Sequence, residues 1–509
     1  MVQELSSRPK MDETQAVNNG ASPASRKLTS SDQYLEHAQK APQVQRPVRT
    51  CAVVSLSFLF VYTANLAIQN LQSSLNQAEG LGITSLAALY GAIIVCGTMS
   101  PLVIRLLGAK RTLLLAWVFH ALYTLSNFYP TFPTLLTSSL LLGAIAGPMW
   151  TAQGLFISES GLAYAQSHQM EPHEALSKFS GIFFACYEAT QITGSLITSL
   201  VLMRGNYSEV NNTGRICGAG VCPGQVTNST QIEQPEQSLV YLLLGIFLAC
   251  NILGLALTAA ILPGLDKRLE TSAGENTLGS SVTSCLSMML VPRMLLLLPF
   301  FMAQAMNSGL LFAEYTQAFI SCSVGIQWVG YVMASFGVLT AAQALGLNFL
   351  ARYIGRQLLF PAAALADMSV AVAMLLWNPV GADVGLFFIL PTVSGFAEGI
   401  FQAQFYSLVA TVFPTQLTGA FAAYHTSKAT AFTLTFVLAR FLCLRERIYF
   451  ILAFSALGLC GYTSVEVMIA KHRTKEKTIV VELADTRASE KSPLRKRNSD
   501  SQSLNKNNI

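Results

Sequence analysis

The chain alternates long apolar runs with short polar breaks over most of its length. An apolar run of about 20 residues is long enough to cross a bilayer as an α-helix. Such runs cover residues 51–73, 84–107, 110–129, 133–157, 178–202, 238–262, 292–313, 326–350, 358–377, 385–410, 420–443 and 448–470. The pattern therefore predicts an all-α integral membrane protein with twelve transmembrane helices.

Three polar segments divide the chain. Residues 1–50 predict an N-terminal tail, and residues 471–509 predict a C-terminal tail rich in Lys and Arg. Residues 264–291 form a polar linker, which separates a six-helix bundle at 51–263 from a second one at 292–470. The first tail has no apolar core followed by a small-residue cleavage site, so we expect the first span to act as its own insertion signal.

Composition agrees with a membrane protein and excludes several other classes. The chain is 52% hydrophobic and 12% charged, whereas soluble domains have about 25% charged residues. The net charge of +5 is explained by basic residues beside membrane spans, and no nucleic-acid-reading motif is present. The sequence also has no Walker loop, nucleophile elbow or His-rich metal set, so we expect neither an enzyme nor a cofactor.

Charge and glycosylation motifs predict the same orientation. Most of the 32 Lys and Arg residues fall on the side of the two tails, which places both termini in the cytoplasm. The N-glycosylation sequons at Asn206, Asn211 and Asn228 all lie in the 203–237 loop, which this topology places outside. We expect a glycoprotein of the plasma membrane, with endosomal membranes as the alternative.

The same outer loop contains the sequence CGAGVC at residues 217–222. In an oxidising compartment Cys217 and Cys222 are expected to pair with each other, or one of them with Cys322 in an outer loop of the second half. The alternative is free thiols with no bridge.

An internal repeat supports the division into halves. RLLGAKR (105–111) and RYIGRQ (352–357) both follow the second span of their half. Likewise, GLGITSLAALYG (80–91) corresponds to SVGIQWVGYVM (323–333). Two parallel six-span repeats joined by a cytoplasmic linker are the layout of the major facilitator architecture.

Several motifs resemble the UNC-93 family, in the order in which that family has them. They include LQSSLNQAEGLGITSLAALYG (71–91), GPMWTAQG (147–154), FSGIFFACYE (179–188), CGAGVC (217–222), YLLLGIF (241–247) and AEYTQAFISCSVGIQWVGYVM (313–333). The resemblance covers roughly residues 50–470 and is closest to the A-type branch of the family.

The resemblance implies a facilitator-like fold and a regulatory subunit of a two-pore potassium channel. A facilitator fold also hosts other functions. A secondary transporter of a small organic solute and, from the B-type branch, a trafficking chaperone for membrane receptors therefore remain alternatives. In one respect the chain departs from transporting facilitators. Those proteins have an acidic residue before the Arg of a cytoplasmic signature loop, whereas here Ile104 precedes Arg105 and Ala351 precedes Arg352. The departure favours a non-transporting regulator.

Polar residues mark the spans that this fold places around a central cavity. The candidate cavity-lining residues are Asn65, Gln69, Gln72, Gln153, Glu188, Gln304, Asn307, Glu314, Glu398, Gln402 and Lys428. They predict a water-accessible cavity for a small polar ligand. The alternative is interhelical hydrogen bonding, which produces the same pattern without a ligand.

Charged residues inside spans are costly unless they are paired or hydrated. Glu188 and Asp367 lie within spans, and Glu398 and Lys428 lie on consecutive spans, where a pair between them would remove two unpaired charges at once. Tyr315, at the outer end of the seventh span, is expected to anchor at the membrane interface. The alternative is that Glu314, Tyr315 and Thr316 close an outer gate. Gly143 and Gly147 on the fourth span are expected to allow close packing within the chain.

Overall fold

The computed structural model describes residues 46–205, 216–223, 234–265, 285–354, 356–413 and 417–471. All of them belong to one compact unit, Gln43–Ile509, and the separate unit Met1–Pro42 lies outside the described residues. Most of the two tails and of the polar linker, and all three sequons, also lie outside them. The boundaries predicted for these segments and the glycosylation sites therefore remain predictions.

A helix lies on each of the twelve segments predicted as spans, and the described residues contain no β-strand. In the first half the helices are Pro47–Leu75, Leu81–Gly97 followed by Ser100–Leu107, Ala109–Ser126, Phe132–His168, Pro172–Leu202 and Gln237–Ile261. In the second half they are Pro292–Gly309 followed by Leu310–Ser321, Val329–Ile354, Arg356–Leu376, Ile389–Val412, Leu417–Leu438 and Leu444–Lys471. We call them the first to the twelfth span.

Eight helices in the described part of the chain are long and apolar enough to cross a membrane. The third, fifth, eighth and eleventh spans are not among them, so the full count of twelve membrane crossings stays a prediction. The helix of the fourth span is 37 residues long and extends past the predicted end at residue 157. Its additional residues include Glu159, Gln166 and His168, which are compatible with a helix but too polar to have been assigned to a membrane run.

The seventh span changes its helical form along its length. It begins as an α-helix that contains Pro299, and it continues as a π-helix from Leu310 to Ser321. A π-helix adds residues to each turn and changes the direction of the side chains that follow, and it is often found at functional positions. Here it carries Glu314 and Tyr315.

Small residues bring the second and fourth spans close together. A Cβ atom on Gly143 would lie 2.1 Å from the Leu89 carbonyl oxygen, and one on Gly147 would lie 2.7 Å from the Gly97 Cα. Neither position has room for a larger side chain. The prediction that Gly143 and Gly147 pack within the chain is thus confirmed.

The two halves meet at the end of the bundle where the fifth span ends at Leu202, which we call the loop end. The opposite end, where the first span begins at Pro47, we call the tail end. At the loop end Ser73 Oγ donates a hydrogen bond to the Ala313 carbonyl oxygen (2.8 Å), and the Ser74 and Ser321 hydroxyls lie 2.9 Å apart. These four residues are buried, so direct contacts between the halves close the loop end.

The fifth and eighth spans provide a second contact between the halves. Ser199 Oγ donates to the Gln327 carbonyl oxygen (2.7 Å) and accepts from the Tyr331 backbone N–H (2.8 Å). Gly330 allows the two helices to approach, because a Cβ atom there would lie 2.1 Å from the Ser195 carbonyl oxygen. One serine hydroxyl therefore bridges the beginning of the eighth span to the end of the fifth.

Candidate functional site

The polar residues of the first span bond mainly to the second span. Gln69 Oε1 accepts a hydrogen bond from the Tyr90 hydroxyl (3.1 Å), and Gln72 Nε2 donates to Ser85 Oγ (3.3 Å). Asn65 is buried, and its Oδ1 atom has no hydrogen-bond partner among the described residues. Interhelical bonding thus accounts for two of these predicted cavity residues, and Asn65 retains an unused acceptor.

A second group of polar residues lies between the seventh and tenth spans. The Glu398 carboxylate accepts hydrogen bonds from Gln304 Nε2 and from Ser308 Oγ, the latter at 3.0 Å. Gln304 Nε2 also lies 3.0 Å from Ser308 Oγ. We call Gln304, Ser308 and Glu398 the central cluster. Gln304 is buried and Glu398 is half-buried, so the cluster is not fully sealed from solvent.

Glu188 connects the first half of the chain to this group of polar residues. It is buried on the fifth span and interacts with Gln402 and with the charges of Glu398 and Lys428 on the tenth and eleventh spans. Gln402 and Lys428 are half-buried. Five of the predicted cavity residues are therefore brought together, although they come from both halves of the chain: Glu188, Gln304, Glu398, Gln402 and Lys428.

The candidate pair of Glu398 and Lys428 is not formed in the described part of the chain. No ion pair between described residues joins them, and Glu398 takes its hydrogen bonds from Gln304 and Ser308. The Lys428 ammonium instead lies 5.6 Å from the centroid of the Tyr424 ring, one helical turn earlier. An aromatic face attracts a cation, and this contact was available within the lysine's own helix.

Glu314 has a partner that the sequence did not indicate. The Arg447 side chain donates to both Glu314 carboxylate oxygens, and the two side chains are 5% and 4% exposed. Arg447 lies in the first turn of the twelfth span, in the short break between the apolar runs 420–443 and 448–470 of the sequence, where a charge is ordinarily exposed at the membrane surface. The ion pair joins the seventh and twelfth spans, so the structure supports a role for Glu314 in packing.

The other predicted residues of the fourth and seventh spans also lie in packed surroundings. Asn307 Nδ2 donates to the Ala303 carbonyl oxygen (2.9 Å) and to Ser455 Oγ (3.2 Å), and Gln153 is buried. Tyr315 is fully buried and donates its hydroxyl to the Phe387 carbonyl oxygen (2.8 Å). The expectation that Tyr315 anchors at the membrane interface is therefore wrong, because its ring lies in the protein core.

Residues 216–223 form a short segment that we call the strap. It comes from the loop between the fifth and sixth spans but is bonded to the second half, through disulfides Cys217–Cys322 and Cys222–Cys443. The Leu444 backbone N–H also donates to the Val221 carbonyl oxygen (3.0 Å). Of the alternatives open from the sequence, the structure takes the Cys217–Cys322 bridge, and it adds Cys443, which sequence reasoning missed.

One glycine fits the strap closely against the second half. Gly218 has a positive φ of 77°, and a Cβ atom there would lie 2.8 Å from Pro379 Cδ. Cys217 and Ala219 on either side are buried. The strap is therefore packed as part of the protein surface at the loop end and not only linked to it by the disulfides.

Among the described residues, no group of three or more His, Cys, Asp or Glu side chains is placed to hold a metal ion. The chemistry offered by the central cluster is that of hydrogen bonding by amides, a hydroxyl and a carboxylate. Such groups orient a small polar molecule or bond helices together.

Comparison with solved structures identifies the fold. The peptide transporter POT in complex with sulfate matches with a TM-score of 0.56 at 12% identity, over 86% of this chain and 98% of that one. A mutant form of the nucleoside transporter NupG matches with a TM-score of 0.58 at 12% identity, over 81% of this chain and 99% of that one. This chain is thus a multi-pass membrane protein with a fold of the major facilitator type.

Comparison with known sequences identifies the family. The family described as "Ion channel regulatory protein UNC-93" matches residues 75–462. Protein unc-93 homolog A of Xenopus laevis is 32% identical over 87% of this chain and 98% of its own length. A candidate potassium channel regulatory protein of Caenorhabditis elegans, unc-93, is 28% identical over 91% of this chain and 66% of its own length. The chain therefore belongs to the UNC-93 family of ion channel regulatory proteins.

Proposed function

We propose that this protein is a non-enzymatic regulatory subunit of a potassium channel and acts without a transport cycle. The observation that carries the proposal is the closed loop end, where buried serines bond the halves together and the strap is linked to the second half by two disulfides. The family description and the name of the worm relative supply the kind of partner.

A closed loop end matters because a facilitator transports by rocking one bundle against the other around a central site. Opening the loop end would separate Ser73 from Ala313 and Ser199 from Gln327. Each buried polar group left without a partner costs about 1–3 kcal/mol. The strap adds two covalent links between a loop of the first half and the second half.

The signature loops support the same proposal. In transporting facilitators, which the chain resembles in fold, an acidic residue precedes the signature Arg, but here Ile104 precedes Arg105 and Ala351 precedes Arg352. No carboxylate is then available next to the Arg for the charge relay associated with gating. A protein that stays in one conformation does not need that relay.

The disulfides also support the proposed orientation. Stable disulfides form in oxidising compartments and are rare in the cytoplasm. The strap then faces the cell exterior or an organelle lumen, and both tails face the cytoplasm. We favour the plasma membrane, where a potassium channel partner would be regulated.

The test is whole-cell recording of two-pore potassium channels with and without this protein. We expect the current of at least one such channel to change. A variant in which Cys217 and Cys222 are both replaced by Ser should lose the effect, while the matched variant Cys460→Ser, at an exposed free cysteine, should keep it. Unchanged currents across several such channels would count against regulation.

A second candidate function, transport of a small organic solute, is favoured by the half-buried state of Glu398 and Gln402 in the middle of the bundle. For this function, uptake into vesicles containing the purified protein should fall when Gln69, Asn307 and Glu398 are replaced by apolar residues. Absence of any solute flux in the unmodified protein would end this alternative and leave the regulatory proposal in place.

A further inference from the structure

A cavity of about 880 Å³ opens at the tail end, between the beginning of the first span and the end of the fourth. It is distant in sequence from the central cluster and shares no residue with it. Arg46, Arg49, Tyr164 and His168 supply its polar wall, and Val48 and Ala52 supply an apolar one. None of these residues has a part in the proposed regulation of a channel.

The described residues leave the positive charge of this cavity uncompensated. No carboxylate is among the described residues that line it. Neither the Arg46 nor the Arg49 guanidinium forms an ion pair or hydrogen bond with another described residue. A third cation lies beside the wall, because the Lys178 ammonium is 5.2 Å from the centroid of the Tyr164 ring. Two guanidinium groups thus line the cavity, and one ammonium lies against a residue of its wall.

The acidic residues that follow the fourth span do not neutralise the positive charge of the cavity. Glu171 and Glu174 follow the fourth span, are exposed, and are not part of the cavity wall. His168 also stays within its own helix end: its ring stacks on Tyr164 with centroids 3.9 Å apart, and its Nδ1 atom contacts Ser167. The two arginines are therefore available to a ligand.

The backbone at the beginning of the first span also favours an anion in this cavity. The first span begins at Pro47 without a side-chain cap and has no acidic residue in its first turn. The first amides of a helix have no partner within it, and the helix dipole makes that end favourable to anions. This feature alone is not a site, but here it opens into a cavity that already carries two unpaired guanidinium groups.

We propose that this cavity binds a phosphate-bearing organic anion. An Arg side chain offers a planar fork of donors that matches phosphate oxygens. The volume is within the range of about 300–1,000 Å³ found for organic ligand sites and exceeds the needs of inorganic phosphate. The exposed Val48 and Ala52 give the non-phosphate part of the ligand an apolar surface. The headgroup of an anionic membrane lipid and a soluble phosphate ester share this chemistry.

The experiment uses the full-length protein purified into phosphatidylcholine nanodiscs. Two probes are titrated: a fluorescent short-chain phosphatidylinositol bisphosphate and soluble inositol trisphosphate. The double variant Arg46→Gln/Arg49→Gln is compared with Arg445→Gln, which removes an exposed arginine at the loop end. We expect at least a ten-fold loss of affinity in the double variant and unchanged affinity in the control. Arg49→Lys, which keeps the charge but removes the fork, should show an intermediate loss.

The two probes also distinguish the source of the anion. Binding of both, with the same dependence on Arg46 and Arg49, supports a site for soluble phosphate esters as well as headgroups. Binding of the lipid alone supports a membrane lipid. The proposal is overturned when neither probe binds at millimolar concentration, or when the double variant, confirmed as folded by its elution as a single species, binds as tightly as the unmodified protein.

Discussion

Arg447 and Glu314 form a two-pronged ion pair, with N–O distances of 2.5 and 3.0 Å, between the twelfth span and the π-helical part of the seventh. Both side chains are almost fully removed from solvent. A buried pair of this kind is costly to break, because removal of one partner leaves the other charge unpaired. The pair fixes the position of the π-helix against the twelfth span.

Replacing Arg447 with Met should strongly destabilise the protein. The substitution leaves the Glu314 carboxylate buried without its cation, and such changes cost about 3–5 kcal/mol. Thermal unfolding of the purified protein measures the loss. Arg445→Met, two residues away and exposed, is the matched control and should unfold near the unmodified temperature. Replacing both members, as Glu314→Leu with Arg447→Met, should recover a large part of the stability, and equal unfolding of the single variant and its control would contradict the ion pair.

The two disulfides should hold the fragments of a cut chain together. We would insert a protease recognition sequence after Gly224, which separates Cys217 and Cys222 from Cys322 and Cys443. After cleavage in detergent, the fragments should migrate as one species without reductant and as two with it. The single variants Cys217→Ser and Cys443→Ser should each remain linked through the other bridge. The pair Cys217→Ser/Cys222→Ser should come apart, and separation of the unmodified fragments on a denaturing gel without reductant would refute the pairing.

Gly330→Ala should weaken the contact between the halves. The new Cβ atom would lie 2.1 Å from the Ser195 backbone oxygen, so a helix must move, and overpacking of this kind costs about 1–3 kcal/mol. Gly245→Ala is the control, because a Cβ atom at Gly245 meets nothing within 4 Å and Ala favours a helix. Thermal unfolding should rank the unmodified protein between the two. A Gly330 variant as stable as the Gly245 variant would show that the fifth and eighth spans can move apart without cost.

The sequons give a prediction about orientation that is independent of the cysteines. If the 203–237 loop enters the secretory lumen, Asn206, Asn211 and Asn228 are available for glycosylation. Replacing all three with Gln should increase gel mobility to that of the protein treated with an endoglycosidase. The single variants should fall between these limits. No mobility change in any variant would remove this support for an outer loop.

The helices were predictable because the tendency of a segment to cross a membrane depends on the hydrophobicity of its own residues. A run such as 51–73 is apolar whatever its neighbours are, and its helix differs from the prediction mainly at the ends, Pro47 and Leu75. The end of the fourth span was missed because residues after 157 are polar although they remain helical. Hydropathy measures the apolar run, not the length of the helix.

The partners within the site were less predictable. The sequence marked Gln304, Glu398 and Glu314 as polar residues inside spans, but a pairing depends on which helices become neighbours. Lys428 looked like the partner of Glu398 because their spans are consecutive, whereas Gln304 is the neighbour in space. Arg447 lies between two apolar runs of the sequence, and only the fold shows that it is buried against Glu314 of the seventh span. Long-range contacts of this kind carry no local signal.

The Cys222–Cys443 bridge also sets an order for assembly. The two cysteines are 221 residues apart, so the bridge cannot close until the chain has been synthesised as far as the beginning of the twelfth span. Until then Cys222 cannot form this bridge. The bridge therefore forms only in a chain whose synthesis has passed Cys443. A chain truncated before Cys443 cannot form it. Quality control that retains proteins with free thiols would recognise such a chain as unfinished.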